Sequence, residues 1–244
     1  MVSSNAFPMK YPIIPYRIFP LGDSALTIDF GNIIDEDVNK RVFASFHQLQ
    51  QDPQHGIIEL IPAYSSLTVC YDIVTVKKRV HSGKTVFESI KEWVEDKLHQ
   101  PFSFEEIVPV EIKIPVCYAA EFAPDIEQLA RTKGLTPQEV IEIHTWKSYK
   151  VYMLGFLPGF AYMGEVDERI TMPRKQQPQN ILPGSVGIAG KQTGIYPFAS
   201  PGGWQIIGRT PLKLFDIKKE DPALLKAGQT VQFYSISKDE FENY

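Results

Sequence analysis

The segments GFLPGFAYMG (155–164) and GSVGIAGKQTGIYPFASPGGWQIIGRTP (184–211) decide the fold of the C-terminal half. From residue 155 to residue 211 the chain holds 10 of its 16 Gly and 7 of its 19 Pro, but only eight charged residues. Glycine and proline at this density break helices and turn the chain between short strands. The stretch therefore predicts a mainly-β barrel rather than a helical domain.

Aromatic and polar side chains are interleaved with these glycines. An apolar concavity with a few fixed polar groups is the usual composition of a small-molecule site. The candidate catalytic and substrate-binding side chains are His144, Phe156, Phe160, Tyr162, Arg174, Ser185, Lys191, Gln192, Thr193, Tyr196, Trp204 and Arg209. The backbone can approach a ligand most closely at Gly184, Gly187, Gly190, Gly202 and Gly203. The alternative is that Gly and Pro only turn the corners of a barrel that the aromatic residues fill.

The run from Gly184 to Gln192 is a near match to the nucleotide-binding P-loop, GxxxxGK[ST]. Five residues separate its outer glycines instead of four, and Gln192 stands where the magnesium-binding hydroxyl belongs. Strands rather than a helix are expected after it. We therefore expect no nucleotide site in this run, so that any ATP chemistry would need another chain.

The chain before the barrel has a different pattern. Thr136 and Pro137 predict the start of the second of two short helices, at 125–132 and 137–146. Earlier residues predict strands within 16–30, at 57–62, 66–73 and near 107–116, and amphipathic helices at 35–50 and 84–98. This order is the βαββαβ pattern of a ferredoxin-like unit. We predict a flexible lead-in at 1–15, a ferredoxin-like α+β domain at 16–103 and a β-barrel domain at 104–244.

The composition excludes several classes of protein. The chain has 244 residues, 25 basic and 29 acidic side chains and a net charge of −4, whereas nucleic-acid-binding domains are basic. Its longest mostly apolar stretch, 151–164, is too short and too rich in glycine to span a membrane. Two cysteines fit a reducing cytoplasm, where we expect the protein. The five histidines are isolated in the sequence and predict no metal site.

The glycine-rich motifs and the run SPGGWQIIGRTP (200–211) resemble those of the family variously called KipI, allophanate hydrolase subunit 1 and the B subunit of 5-oxoprolinase. In the N-terminal half, LGDSALTIDFG (21–31) and the turn Pro62–Tyr64 also resemble that family's first domain. The resemblance covers residues 16–236. It implies a ferredoxin-like N-terminal domain and a cyclophilin-like barrel.

The same resemblance implies a function. Most bacterial members resemble one subunit of an ATP-dependent 5-oxoprolinase, which opens 5-oxo-L-proline to L-glutamate. Its companions are a LamB/YcsF-like subunit and a subunit that resembles allophanate hydrolase subunit 2. We therefore expect this chain to contribute part of the substrate site and to bind no cofactor alone, while the complex uses ATP with Mg²⁺.

Other functions stay open at this point. The family also contains a KipI-type inhibitor of a sensor histidine kinase, which is a binding module without chemistry. A homologous module forms part of urea carboxylase, so a component of a urea or amide carboxylase system is a further alternative. Prolyl isomerase activity would rest on the cyclophilin analogy alone.

The family's pattern carries over at several positions. It has a His before the GFxPGFAY run, matched by His144, and the pair PR, matched by Pro173–Arg174. QTGIYP and PGGWxxIGRTP are matched at 192–197 and 201–211. One position departs from it, because Gln179 stands where the family usually has a second Arg.

These matches yield hypotheses about roles. Arg174 or Lys191 would neutralise an anionic oxygen of the substrate, and backbone N–H groups of the 184–190 loop would assist them. His144 would move a proton, since an imidazole titrates near neutral pH. Tyr196 and Trp204 would form the apolar wall of the pocket.

Overall fold

The computed structural model of this protein describes residues 15–80, 83–100 and 111–244. The chain divides into two compact units, Met1–Ile107 and Val108–Tyr244, each with its own apolar core. The predicted lead-in, apart from Pro15, lies outside the described residues, as does the predicted boundary between residues 103 and 104.

The N-terminal unit is built on a four-stranded antiparallel sheet. Its strands lie in the order β1-β2-β4-β3 and comprise β1 (Arg17–Pro20), β2 (Ala25–Asp29), β3 (Ile57–Pro62) and β4 (Ser66–Tyr71). Alternation along β2 and β4 places four fully buried side chains on one face: Leu26, Ile28, Leu67 and Val69. That face is the sheet's contribution to the N-terminal core.

Helices complete this core. They are α1 (Glu36–Gln51), α2 (Ile73–Lys77) and α3 (Val86–His99). Asp35 accepts hydrogen bonds from the N–H groups of Asp37 and Val38, which fixes the start of α1. Thr85 and Glu88 form a capping box at the start of α3. The two long helices predicted from periodicity are confirmed, whereas α2 was not predicted.

The predicted βαββαβ order is wrong in one respect. Two strands precede α1, as predicted, but the strand expected to follow α3 within this unit belongs elsewhere. Its described part, β5 (Glu111–Cys117), pairs with strands of the second unit. The place beside β2 is taken by β1, because a short turn with Gly22 at φ +64° joins the two strands into a local hairpin. The ferredoxin-like assignment itself stays a prediction.

The second unit contains a closed barrel of seven strands, as the glycine-rich segment predicts. Its order is β10-β7-β6-β13-β5-β12-β9, with β9 also paired to β10. Besides β5, the barrel strands are β6 (Ser148–Leu154), β7 (Ala161–Gly164), β9 (Ser185–Ala189), β10 (Gln192–Ile195), β12 (Gln205–Arg209) and β13 (Thr230–Ile236). Strands β5 and β13 pair in parallel and the other pairs are antiparallel. The finer description as cyclophilin-like stays a prediction.

Shorter elements surround the barrel. They are the helices α4 (Ile126–Lys133), α5 (Pro137–Thr145) and α6 (Lys238–Glu242), a 3₁₀ turn at Glu168–Ile170, and a separate pair of strands, β8 (Gln179–Ile181) and β11 (Ser200–Gly202). Helix α5 begins with the predicted Thr136 cap and Pro137 in its first turn. No helix in the described ranges is long and apolar enough to cross a membrane.

Every barrel strand contributes buried apolar side chains to one core. Its members include Ile114, Val116, Val151, Met163, Val186, Ile188, Ile195, Ile207, Val231 and Phe233. Leu129 of α4 and Val140 of α5 belong to the same core, which ties both helices to the barrel. The interior is therefore packed with side chains and does not form a channel.

We predict that two glycines at the ends of β9 differ in their tolerance of a methyl group. Both have left-handed φ angles, +81° at Gly184 and +60° at Gly190, so alanine costs about 1 kcal/mol at each. A Cβ at Gly184 would lie 2.3 Å from the carbonyl oxygen of Thr210, whereas nothing lies within 4 Å at Gly190. Urea unfolding should therefore show Gly184→Ala to be less stable than Gly190→Ala by about 1–3 kcal/mol. Equal losses would contradict the overlap at Thr210.

Candidate active site

Glycines on the outer wall of the barrel support a group of aromatic side chains. Ile188 of β9 and Ile195 of β10 belong to the interior core. Their neighbours Gly187 and Gly194 face the opposite way, and a Cβ on Gly194 would lie 3.0 Å from the ring of Trp204. The absence of two side chains thus lets the indole lie close to the wall. The surrounding rings, with Trp204, form what we call the outer aromatic cluster: Phe160, Tyr162, Tyr196 and Trp204.

Most of this cluster is filled rather than open. Phe160, Tyr196 and Trp204 are only 1%, 1% and 4% exposed. The ring centroids of Phe160 lie 5.1 Å from Tyr196 and 5.4 Å from Trp204, both edge to face. Tyr196 and Trp204 are therefore packed within this cluster, and their predicted role as the apolar wall of a pocket stays a prediction.

Phe156 is the exposed aromatic residue at the edge of this cluster. Its φ angle is +68°, and the N–H of Leu157 donates to the carbonyl of Gly155 at 2.8 Å across it. This is a γ-turn of the strained kind, which a bulky residue rarely adopts. The ring is 61% exposed and meets Phe160 edge to face at 5.7 Å. Strain of this kind concentrates at functional positions, so Phe156 is a candidate contact residue.

Arg174 lies next to the outer aromatic cluster. A Cβ on Gly203, the residue before Trp204, would lie 3.7 Å from Cβ of Arg174, and the side chain of Arg174 is exposed. Burial raises the pKa of Tyr162 and raises that of Tyr196 to about 12, and the positive charge of Arg174 opposes this effect at both phenols. An exposed guanidinium is suited to an anionic oxygen.

His144 lies inside the barrel and not on this outer surface. Its Nδ1 is 2.9 Å from the hydroxyl of Tyr118, and its Nε2 is 3.0 Å from Oγ1 of Thr193. Thr193 donates its single hydrogen to the carbonyl of Gly187 at 3.1 Å, so Nε2 must carry the proton and donate to Thr193. Nδ1 then accepts from Tyr118. Both ring nitrogens are thus occupied in the neutral imidazole.

The surroundings of His144 keep it neutral. The residue is fully buried, and its ring stacks on Phe233 with 4.6 Å between centroids. This burial lowers the pKa of His144 to about 3. At neutral pH it has neither the charge nor the exposure that a proton shuttle needs. The structure therefore gives it a packing and hydrogen-bonding role between α5 and the barrel.

Comparisons with known proteins agree with this architecture. The pattern of the carboxyltransferase domain, subdomain C and D, matches residues 16–225. The 5-oxoprolinase B subunit of Bacillus subtilis is 48% identical over 233 residues, covering 95% of this chain and 97% of that protein. This chain belongs to the 5-oxoprolinase B-subunit family. The resemblance inferred from the motifs is confirmed.

Two further relatives extend this result. The 5-oxoprolinase B subunit of Escherichia coli O157:H7 is 34% identical over 220 residues, covering 89% of this chain and 94% of that protein. The crystal structure of the K. lactis urea amidolyase matches with a TM-score of 0.75 at 18% identity, over 97% of this chain and 16% of that chain. At that identity the second match shows the shared fold alone.

In this member of the 5-oxoprolinase B-subunit family, three predicted site residues make their contacts away from the outer aromatic cluster. Lys191 lies 3.8 Å from carboxylate oxygens of both Glu165 and Glu168. Arg209 donates from Nε to the carbonyl of Pro183 at 2.8 Å. Thr193 is fully buried beside His144. The roles proposed for them stay predictions without a shared geometry, and the same holds for Ser185, Gln192, Gly202 and Gly203.

The run 184–190, predicted as an anion-binding backbone loop, is mostly a strand. Residues 185–189 form β9, which pairs with β10 on one side and β12 on the other. Its backbone N–H groups are therefore used within the barrel and do not form a concave cradle. The sequence predicts no P-loop in this run, and the strands β9 and β10 observed there agree with that.

Sequence reasoning missed Asp125, Lys175 and Tyr118. The sequence predicts a helix start at Asp125, yet its side chain makes no cap hydrogen bond there. Its carboxylate instead accepts from the N–H of Ile206 at 2.6 Å and lies 2.6 Å from Nζ of Lys175. Contacts between residues so far apart in the sequence produce no local sequence pattern. Only the position of Lys175 next to Arg174 could have pointed to this pair. Within the described residues, no cluster of His, Cys, Asp and Glu has a metal-binding arrangement.

We predict that His144 lowers the free energy of unfolding as the pH drops. Its pKa is about 3 when folded and 6.5 as the ordinary value, so the unfolded chain takes up a proton that the folded chain refuses. The contribution of His144 to the free energy of unfolding is complete above pH 6.5 and falls as the pH drops towards 3. At pH 5 about 2 kcal/mol of it is lost. Urea unfolding at pH 7.5 and 5 should show a smaller acid loss in His144→Gln than in wild type. An identical loss in both would refute the buried neutral imidazole.

We also predict that glycine is a more stable replacement than alanine at Phe156, the reverse of the usual order. Alanine removes the ring but keeps the left-handed strain, while glycine removes both, so Phe156→Gly should be more stable than Phe156→Ala by about 1 kcal/mol. Phe198 is a matched control, because it is exposed but has an ordinary φ angle. There the alanine variant should be the equal or the more stable one. The measurement is thermal or urea unfolding of the four variants.

Proposed function

We propose that this chain is a subunit of an ATP-dependent 5-oxoprolinase, a hydrolase that opens 5-oxo-L-proline to L-glutamate in the cytoplasm. Its companions would be a LamB/YcsF-like subunit and a subunit that resembles allophanate hydrolase subunit 2. The support is the family membership, with relatives named as B subunits of 5-oxoprolinase at 48% and 34% identity over most of the chain. A ferredoxin-like N-terminal unit and a cyclophilin-like barrel form part of the same proposal.

The observation that carries the proposal is the exposed side chain of Arg174 next to the outer aromatic cluster, where the following residue, Lys175, is hydrogen-bonded to Gly203 beside Trp204. The substrate combines a carboxylate with a small apolar ring that contains an amide. Arg174 can hold the carboxylate through two parallel hydrogen bonds, and the exposed ring of Phe156 can contact the apolar part. One surface thus supplies both kinds of contact that this substrate needs.

This surface also supports the need for companions. Phe156 and Arg174 are both exposed, so a small ligand bound there would keep one side in water. Small-molecule sites usually bury most of the ligand, and a dry site strengthens each electrostatic contact. We propose that a companion subunit covers the ligand, and that the chain is inactive without it.

The nucleotide belongs to the complex in this proposal. Phosphorylation of the lactam oxygen by ATP would remove the amide resonance that makes the carbonyl a poor electrophile. The P-loop-like run at 184–192 holds strand β9, whose neighbours on both sides use its backbone groups. We therefore assign ATP and its Mg²⁺ to a companion, while this chain binds and orients the substrate.

A kinase-inhibitor function is the second candidate. The observation that favours it is Phe156, because an aromatic ring 61% exposed is also a typical anchor for a protein partner. In that case the surface would bind protein without any reaction. The test described next separates the two functions.

The test is ATP-dependent glutamate release from 5-oxo-L-proline by the chain co-purified with its two companions. Omission of this chain should abolish release. Arg174→Ala should raise KM for 5-oxo-L-proline about 10- to 100-fold, which corresponds to the loss of a hydrogen bond to a charged group. It should leave KM for 2-pyrrolidinone unchanged, because that lactam lacks the carboxylate. Arg169→Ala is the control, since Arg169 is exposed and paired with Asp167. A complex that assembles but releases no glutamate would refute the enzyme proposal, and a pull-down with sensor histidine kinases would then test the inhibitor function.

A further inference from the structure

The segment that carries Arg174 is fixed to the barrel on both sides of that residue. The carbonyl of Pro173 accepts from Nε2 of Gln205 at 2.9 Å. The N–H of Lys175 donates to the carbonyl of Gly203 at 2.7 Å. The backbone on both sides of Arg174 is therefore attached to the residues at the start of β12 and just before it.

A buried ion pair adds a third attachment. Nζ of Lys175 lies 2.6 Å from Oδ2 of Asp125, and the two side chains are 13% and 12% exposed. The same ammonium donates to Oε1 of Gln179 at 2.7 Å. In the other ion pairs of the described part of the chain, at least one partner is much more exposed.

Asp125 is itself held by the barrel. Its Oδ2 accepts from the N–H of Ile206 at 2.6 Å, and its own N–H donates to the carbonyl of Ile206 at 3.0 Å. Ile206 is in β12, so Lys175 is connected through Asp125 to a barrel strand. A displacement of Arg174 would have to break this chain of contacts.

Stability alone is a poor reason for such a pair. Removing two charges from water costs about as much as their attraction returns, so apolar residues of the same shape often replace a buried pair without loss. An ion pair with hydrogen bonds has one geometry and so fixes the relative positions of its two side chains. An apolar pair would not fix them in this way. The place of the ion pair next to Arg174 points to a role in holding that residue.

We propose that Lys175 and Asp125 are positioning residues that hold Arg174 in its place next to the outer aromatic cluster. This inference rests on the proposed function, in which Arg174 binds the carboxylate of the substrate. The pair touches neither the substrate nor the reacting atoms. It acts on substrate binding only through Arg174.

The principal variant is the double substitution Asp125→Asn/Lys175→Met, which removes both charges and keeps both shapes. Neither partner is then left charged and buried alone, so the protein should fold. The matched control is Asp221→Asn/Lys226→Met, which removes an exposed pair 2.8 Å apart. In the assembled complex we expect the principal variant to raise KM for 5-oxo-L-proline about 10-fold with kcat nearly unchanged. The control should change neither.

A double-mutant cycle distinguishes positioning from a general loss of structure. In an Arg174→Ala background the same double substitution should change KM less than about twofold, because the residue it positions is gone. KM for 2-pyrrolidinone should also be unaffected. An equal rise of KM with and without Arg174, or an equal rise for both lactams, would overturn the proposal.

One measurement does not depend on the enzyme reaction. Backbone ¹⁵N relaxation of the isolated full chain should show the amides of Arg174 and Lys175 to be more mobile in Asp125→Asn than in wild type. Unchanged relaxation would overturn the positioning role. Increased mobility together with an Arg174→Ala variant of normal KM would instead refute the proposed role of Arg174 and leave the positioning intact.

Discussion

The close approach of Trp204 to strands β9 and β10 is the constraint on which the outer surface depends. It exists because Gly187 and Gly194 have no side chains on that face of the barrel. Trp204 in turn packs against Phe160 and Tyr196. Phe156 rests on Phe160, and the segment that carries Arg174 is hydrogen-bonded to Gly203, the residue before Trp204. Every candidate contact residue on this surface therefore rests on two missing side chains.

The sequence predicted those features that local rules determine. Helix starts at Asp35 and Thr136 follow from capping chemistry, and the barrel follows from glycine and proline density. The position of β5 was missed, because the strand with which a segment pairs is a non-local choice. His144 was misplaced for a related reason: its motif predicts proximity to the glycine-rich strands but not the face of the wall on which it lies. Arg174 lies next to the glycine-rich segment, as its motif suggests, and its binding role stays a prediction.

Three features of the outer surface add little stability or lower it. Phe156 has a left-handed backbone, its ring is largely in water, and the Lys175–Asp125 pair contributes little net free energy. The interior shows the opposite pattern, since even its buried imidazole has a partner for each nitrogen. Selection for stability would remove the surface features and keep the interior ones. This contrast supports the proposal that the outer surface binds a ligand, whereas the interior serves packing.

The parallel pairing of β5 with β13 has a consequence for synthesis of the protein. These are the first and the last strands of the barrel along the chain, and β13 also pairs with β6. While the ribosome still holds residues 230–236, β5 and β6 lack a neighbour and present open edges. Barrel closure therefore cannot occur before residues 230–236 are synthesised, and it depends on contacts between residues more than 100 positions apart. Until then the unpaired edges of β5 and β6 are open to aggregation.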